Sequence, residues 1–193
     1  MRIGVFDSGV GGLTVLRELQ NRYPLQTFIY FGDTANVPYG TKSVSQIRSL
    51  SQHAAEKMKS HSLDLLIVAC NTASSLALDV MKNELQPTPV IGVVEAGVNS
   101  VLSQMQDHDT ALILGTRATV QSHIYRDLIQ AAGPEIRVLE QACPLLVPMI
   151  EEGWRDHPIL TATITEYVKP YLDRAPAVEP RRGIRLLRIC LPR

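Results

Sequence analysis

Cys70 is the residue of this chain whose surroundings point most directly to chemistry. It follows the apolar stretch 63–68 and precedes the small polar residues Asn71 and Thr72. A thiol between a buried strand and the start of a helix lies beside backbone N–H groups, which favour the thiolate over the thiol. Because the thiolate can remove a proton or attack carbon, we predict an acid/base or a nucleophile here. A buried structural cysteine is the alternative interpretation.

A second group of candidate residues opens the chain, where Asp7 and Ser8 precede the glycines of 9–12. The loop lacks the Gly-x-Gly-x-x-Gly spacing of a dinucleotide site, and no Gly-Lys-Ser/Thr follows to make a P-loop. Exposed amides and a serine suit a carboxylate, and an aspartate suits an ammonium, so the loop could hold a zwitterion. A tight turn in which Asp7 or Ser8 caps a helix is the alternative.

A third candidate loop, 32–40, follows the second predicted strand and contains Asp33, Tyr39 and Gly40. Ligands of open α/β sheets bind at the carboxyl ends of the strands, which is where this loop begins. A turn-rich surface loop explains the same composition. A parallel sheet would gather this loop and the loops at Asp7 and Cys70 onto one edge, which favours the functional interpretation of all three.

Other kinds of site have little support in the sequence. The five histidines show no paired ligand spacing, and no Cys-x-x-Cys occurs, so we expect no metal. A Ser-His-Asp hydrolase of the Gly-x-Ser-x-Gly type is also disfavoured, because that motif is absent.

Alternating apolar runs and amphipathic segments position these residues. Strands are predicted over 2–6, 27–31, 63–69, 90–94, 111–114 and 136–139, and helices over 13–21, 43–60, 74–85 and 120–131. Strands that alternate with helices indicate an α/β fold with parallel sheets and right-handed crossovers.

The pattern of elements repeats. Asp7 and Asp33, at the first two strand ends, are 26 positions apart, and Gly115 and Cys143 at the like places later on are 28 apart. We therefore predict a duplicated βαβ unit, with one half at 1–97 and the other at 98–193. Moving on from Cys143 by the 37 positions that separate Asp33 from Cys70 leads to position 180, where we expect the second half's counterpart of Cys70.

Composition narrows the class of protein. The 193 residues are 45% hydrophobic and carry no net charge, so nothing argues for nucleic acid or a membrane surface as a partner. Three distant cysteines and the missing apolar segment of a signal peptide favour a reducing, cytoplasmic setting. A homodimer is left open.

Several motifs together resemble those of glutamate racemase, in the aspartate/glutamate racemase family. They are Asp7-Ser8-Gly-x-Gly-Gly, Pro38-Tyr39-Gly40, Cys70-Asn71-Thr72-Ala73-Ser74, Gly115-Thr116-x-Ala118-Thr119 and Cys143-Pro144-Leu145. The resemblance runs from Met1 to about Tyr171 and is poorer to the aspartate racemases.

This resemblance implies a cofactor-independent interconversion of L- and D-glutamate that supplies D-glutamate for peptidoglycan. It implies two pseudo-symmetric halves with the active site between them. It also implies two thiols, one from each half, that transfer protons on opposite faces of the α-carbon, with Cys70 as one of them. The implied substrate-binding residues are Asp7, Ser8, Tyr39, Gly40, Asn71 and Thr72. Weaker implied contacts or helpers are Thr116, Thr119, Asp33 and Glu151.

The chain departs from this family pattern in the segment 173–193. The segment holds six arginines and three prolines, and it lacks the Gly-Cys-Thr-His-Tyr-Pro motif that carries the family's second cysteine. Cys190 lies near the expected place, but no Thr-His follows it. We therefore expect an incomplete second half with an out-of-frame tail. The alternatives are a defective remnant that at most binds glutamate, and a racemase of aspartate or another amino acid.

Overall fold

Parallel β-sheets flanked by helices form the framework of the chain in a computed structural model, which describes residues 1–172 and 184–188. The chain divides into unit 1, from Met1 to Glu95, and unit 2, from Ala96 onward. The α/β class predicted from the alternating pattern is confirmed. The assignment of 1–97 and 98–193 as two racemase halves stays a prediction.

Unit 1 contains a four-stranded parallel sheet of order β2-β1-β3-β4. Its strands are β1 (Arg2–Asp7), β2 (Thr27–Gly32), β3 (Leu65–Val68) and β4 (Val90–Gly92). The central strands β1 and β3 are almost wholly buried. This burial explains why both read as continuous apolar runs, since helices cover the two faces of a parallel sheet.

Five helices begin within unit 1. They are α1 (Leu13–Arg22), α2 (Val44–Lys59), α3 (Asn71–Leu76), α4 (Leu78–Glu84) and α5 (Val93–Leu102), and short 3₁₀ turns lie at Thr34–Asn36 and Tyr39–Thr41. Helix α2 begins in a capping box, in which Ser43 accepts from the Gln46 N–H and the Gln46 side chain accepts from the Ser43 N–H. The helical spacing predicts one apolar face made of Ile47, Leu50, Ala54, Ala55 and Met58. Four of these residues are buried, but Ser51 is buried in place of Leu50.

Unit 2 contains a three-stranded parallel sheet of order β6-β5-β7 within the described residues. The strands are β5 (Thr110–Gly115), β6 (Arg137–Ala142) and β7 (Ile184–Arg188). The helices are α6 (Arg117–Ser122), α7 (Ile124–Ala132), α8 (Leu146–Glu151) and α9 (Pro158–Leu172). Leu112, Leu114, Leu146 and Leu160 are among the buried residues of its core.

The strand register repeats between the units, as the spacing of strand ends predicts. Asp7 pairs with Gly32 at the last position of the β1–β2 ladder, and Gly115 pairs with Ala142 at the last position of β5–β6. On the other side, Phe6 pairs with Val68 in unit 1. The equivalent pair in unit 2 is Leu114 with Arg188.

This register corrects the position expected for the counterpart of Cys70. Cys70 is the second residue after Val68, so the equivalent sequence position is the second residue after Arg188, which is Cys190 and not position 180. Cys190 itself lies outside the described residues, as do 173–183 and the rest of 189–193. The incomplete second half and the out-of-frame tail therefore stay predictions.

Several predicted elements differ from the structure in their bounds. The helix predicted over 74–85 begins at Asn71 and is interrupted at Ala77, where φ is −142°. The helix predicted over 120–131 is interrupted at His123, which has a left-handed conformation with φ of 55°. The strand predicted over 90–94 ends at Gly92, because α5 begins at Val93. None of the helices in the described part of the chain has the length and apolar character needed to cross a membrane.

Candidate functional site

The loops that follow β1, β2 and β3 lie together at one edge of the sheet in unit 1. The Asp33 N–H donates to the Asp7 carbonyl oxygen at 3.0 Å, and the Ala69 N–H donates to the Phe6 carbonyl oxygen at 2.7 Å. These bonds extend the parallel ladder to the strand ends, so Asp7 has Asp33 on one side and the Ala69–Cys70 segment on the other. The sheet gathers the three loops as the sequence predicts.

Cys70 is the N-cap residue of α3, and its side chain is buried with 5% exposure. The Cys70 thiol donates to the Ser8 hydroxyl oxygen over 3.2 Å. The sulfur accepts from the Ala73 N–H at 3.4 Å. The thiol therefore has a hydroxyl partner from the loop after β1 and an amide partner from its own helix.

Burial, and to a smaller extent the charge of the Asp7 carboxylate, raises the pKa of the Cys70 thiol to about 11. Once the thiol has lost its proton, the Ser8 hydroxyl can turn and donate to the thiolate. This donor and the N–H groups of Ala73 and Ser8 lower the pKa, but their effect is smaller. The N–H donor at the helix start favours the thiolate as expected, but the net balance in the protein by itself favours the protonated thiol. The physical reason is that desolvation and a nearby negative charge both penalise the thiolate more than these donors stabilise it.

Asp7 is 8% exposed and receives two amide hydrogen bonds from its own loop. The N–H groups of Gly9 and Gly12 donate to Asp7 Oδ2 at 3.1 and 3.0 Å. A Cβ atom at Gly12 would lie 2.6 Å from the Asp7 Cβ, so this close approach requires glycine. Two of the amides that the sequence offered for a ligand's carboxylate are thus used to hold the Asp7 carboxylate.

Tyr39 and Asp33 form a hydrogen-bonded cluster beside this edge. The Tyr39 hydroxyl donates to Asp33 Oδ2 at 2.7 Å, and the Asn36 amide donates to both Asp33 carboxylate oxygens at 2.9 and 3.0 Å. Tyr39 is 1% exposed, and Gly40 after it is also buried. Burial and the bond to Asp33 raise the pKa of Tyr39, so the phenol stays protonated. The side chain that the sequence suggested for substrate contact is thus covered and bonded to Asp33.

Tyr30, which contacts the loop that follows β1, was missed in the sequence analysis. It lies on β2, and its hydroxyl donates to the Gly9 carbonyl oxygen at 2.9 Å. Burial is the main cause that raises the pKa of Tyr30, followed by the charges of Asp7 and Cys70. The signal in the sequence was the position of Tyr30, two residues before the carboxyl end of a strand, because ligands of open α/β sheets bind at that edge.

Asn71 and Thr72 form the first turn of α3, directly after Cys70. Thr72 is 3% exposed, whereas Asn71 is half-buried. The Asn71 carbonyl oxygen accepts from the Ser75 hydroxyl at 2.7 Å, inside the helix. Both residues thus lie beside the thiol in the chain, and Asn71 is the more accessible of the two.

The candidate residues of unit 2 lie at the ends of β5 and β6. Thr116 caps α6, and its hydroxyl donates to Thr119 Oγ1 at 2.9 Å. Burial raises the pKa of Cys143 to about 12, and its sulfur lies 3.5 Å from the Gln141 carbonyl oxygen. Glu151 is exposed at the end of α8. Within 1–172 and 184–188, no group of His, Cys, Asp or Glu side chains is arranged to hold a metal ion.

Two features define the class of protein. One is the parallel sheet in each of the two units, and the other is the set of a cysteine, an aspartate and a serine at the edge of the unit 1 sheet where its strands end. The sequence model for Asp/Glu/Hydantoin racemases matches residues 13–178, so the chain belongs to that family. A glutamate racemase from Syntrophus aciditrophicus is 45% identical over 170 residues. The match covers 88% of this chain and 62% of that protein.

Solved structures agree with the family assignment. Glutamate racemase from Francisella tularensis, in complex with D-glutamate, has a TM-score of 0.86 and 35% identity over 98% of this chain and 68% of its own. The Campylobacter jejuni enzyme has a TM-score of 0.84 and 34% identity, and the match covers 98% of this chain and 81% of that one. The chain spans about three fifths of the length of curated relatives such as the Syntrophus aciditrophicus enzyme.

Proposed function

We propose that this protein interconverts L- and D-glutamate without a cofactor, by proton transfer at the α-carbon, and that Cys70 is one of the two groups that transfer the proton. The contact that carries the proposal is the 3.2 Å hydrogen bond from the Cys70 thiol to Ser8, beside the buried Asp7 carboxylate. The membership in the racemase family and the D-glutamate complex of the Francisella tularensis relative support glutamate as the substrate.

The charges around Cys70 suit a thiol that both gives and takes a proton. With its pKa near 11, the thiol is protonated at neutral pH and can donate. An α-ammonium group bound beside Asp7 would offset the charge of that carboxylate, which is the second cause of the raised pKa. Substrate binding would in this way lower the pKa of the Cys70 thiol. The thiolate would then form more readily and could act as a base. Ser8 and Asn71, which flank the thiol, would bind polar groups of the substrate.

Inversion requires a second proton-transfer group for the opposite face of the α-carbon. We assign this role to Cys190, because the register of β7 against β5 makes it the sequence equivalent of Cys70. Thr72, Tyr39 and Gly40 are the remaining substrate-binding candidates, with Tyr39 acting through its bond to Asp33.

We also propose a cellular role. D-glutamate made by this reaction would serve peptidoglycan synthesis, and the setting that we propose for the activity is the cytoplasm. A homodimer is the assembly that we propose for the active protein.

The test is to incubate the purified chain with each glutamate enantiomer in D₂O, while optical rotation and loss of the α-proton signal are followed together. We expect both enantiomers to lose the α-proton and to approach the racemate. L- and D-aspartate, run in parallel, would react more slowly if glutamate is the substrate. Faster reaction of aspartate would assign the chain to a different amino acid.

Two other results would change the proposal. Exchange of the α-proton with retention of configuration would mean that Cys70 acts without a partner and that Cys190 is not the second group. A folded protein that gives neither exchange nor inversion, yet binds glutamate by calorimetry, would be a glutamate-binding remnant and would overturn the proposal.

A further inference from the structure

We propose that Tyr30 is a positioning residue for the reacting thiol, because its hydroxyl holds the Gly9 carbonyl and thereby fixes Ser8 against Cys70. The inference rests on the proposed role of Cys70 in proton transfer. Tyr30 is on β2, one strand away from Asp7, and it contributes no atom to the bond between Ser8 and the thiol. Its effect on the thiol must therefore be transmitted through the loop.

Gly9 is held at both of its backbone polar groups. Its carbonyl oxygen accepts from the Tyr30 hydroxyl at 2.9 Å, and its N–H donates to Asp7 Oδ2 at 3.1 Å. Ser8 lies between Asp7, at the end of β1, and this doubly bonded glycine. The backbone on both sides of Ser8 is thereby fixed, which limits where its own N–H and hydroxyl can point.

Ser8 is the residue that contacts the thiol from this loop. Its hydroxyl oxygen lies 3.2 Å from Cys70 Sγ, and both this hydroxyl and the Ser8 N–H lower the pKa of the Cys70 thiol. Donors that point at the sulfur stabilise the thiolate, and a displaced loop would lose them. Tyr30 thus supports two interactions that oppose the effect of burial on Cys70.

Gly32 allows the loop to approach β2 this closely. A Cβ atom at position 32 would lie 2.4 Å from the Gly9 carbonyl oxygen and 3.0 Å from the Tyr30 ring. The Gly9 carbonyl therefore lies directly against the β2 backbone, where the Tyr30 hydroxyl can reach it. The phenol is a constant donor, since burial raises its pKa and keeps it protonated.

The test measures alkylation of Cys70 by iodoacetamide in the full chain, resolved by peptide mass spectrometry between pH 7 and 10. Tyr30→Phe removes only the hydroxyl. We expect alkylation to be about threefold slower than in the wild-type chain, because that is the effect of a rise of about half a unit in the pKa of the Cys70 thiol. Tyr23→Phe, at an exposed tyrosine of the same unit, is the matched control and should leave the rate unchanged.

The direction of the change separates positioning from simple loosening. A loop that merely opens would expose the buried thiol and speed alkylation, so an equal or faster rate in Tyr30→Phe would overturn the proposal. Ser8→Ala should slow alkylation too. Tyr30→Phe should then have a smaller effect in that background, because only the contribution of the residue 8 N–H is left to lose. An undiminished effect of Tyr30→Phe without the Ser8 hydroxyl would also overturn it.

This measurement needs no substrate, so it stands apart from the proposed racemisation. If the chain fails to exchange the α-proton of glutamate but Tyr30→Phe still slows alkylation, the proposed function fails and the positioning role holds. If exchange is normal and alkylation is unaffected by Tyr30→Phe, the positioning role fails and the proposed function holds.

Discussion

The thiol of Cys70 donates a 3.2 Å hydrogen bond to the hydroxyl oxygen of Ser8, across two neighbouring parallel strands. The bond joins the end of β3 to the end of β1 and sets the thiol beside the loop that carries Asp7. Two opposing influences meet at this sulfur. Burial and Asp7 raise the pKa of Cys70, while Ser8 and the Ala73 N–H lower it.

Asp7→Asn should speed alkylation of Cys70 and slow the turnover of glutamate. The amide can still accept from Gly9 and Gly12, but it removes the charge that raises the pKa of the thiol. We expect iodoacetamide to react about threefold faster at pH 8, and the KM for glutamate to rise because the partner of its ammonium is lost. Asp127→Asn, at an exposed site of unit 2, is the control. Alkylation slower than in the unmodified chain would contradict the charge argument.

Gly32→Ala should destabilise unit 1, whereas Gly11→Ala should be tolerated. The new Cβ at position 32 would lie 2.4 Å from the Gly9 carbonyl oxygen, a contact with backbone that no side chain can relieve. At position 11 its nearest neighbour would be 3.7 Å away. Urea denaturation should give a loss of about 1–3 kcal/mol for Gly32→Ala and under about 0.5 kcal/mol for Gly11→Ala. Equal losses would mean that the loop does not pack on β2 as described.

Tyr39→Phe should lower the free energy of unfolding by about 1–3 kcal/mol, because it removes a donor from the Asp33 carboxylate. The ring is 1% exposed and keeps its packing against Phe6, so the loss reports the hydrogen bond. Asp33→Asn and the double variant complete a double-mutant cycle. Additive losses in the cycle would show that the two side chains are not coupled.

Stability should fall with rising pH through the buried thiol of Cys143. Its pKa is raised from an ordinary 9.0 to about 12, so the folded protein holds this proton more tightly than the unfolded chain does. The resulting stabilisation is fully present below pH 9 and is lost as the pH rises towards 12. Cys143→Ala removes this titration, so the difference in free energy of unfolding between the two proteins should shrink from pH 8 to 10.5. A difference that stays constant or grows would contradict the raised pKa.

The strand-end loops of unit 1 could be predicted from the sequence because parallel strands must present their carboxyl ends together. The apolar runs before Asp7 and Cys70 therefore determine that these residues lie at one edge. The breaks at Ala77 and His123 could not be predicted, because each depends on the conformation of a single residue inside a helical pattern.

The protonation state of Cys70 could not be predicted from the sequence either, since it depends on how deeply the thiol is buried and on how close it lies to Asp7. A helix start indicates donors for a thiolate, but only the three-dimensional packing gives the desolvation that outweighs them. Tyr30 was missed for a similar reason. Its strand position is ordinary, and its contact with Gly9 arises from the way in which the loop folds over β2.

The most direct test of Cys70 as the proton-transfer group is the exchange of the glutamate α-proton in D₂O, catalysed by the unmodified chain and by Cys70→Ser. The matched control is Cys143→Ser, which alters another buried thiol outside the cluster of Asp7 and Ser8. We expect Cys70→Ser to slow exchange roughly 10²-fold or more, because a serine hydroxyl is a far weaker acid, while Cys143→Ser keeps most of the rate. Exchange at an unchanged rate in folded Cys70→Ser would contradict the account.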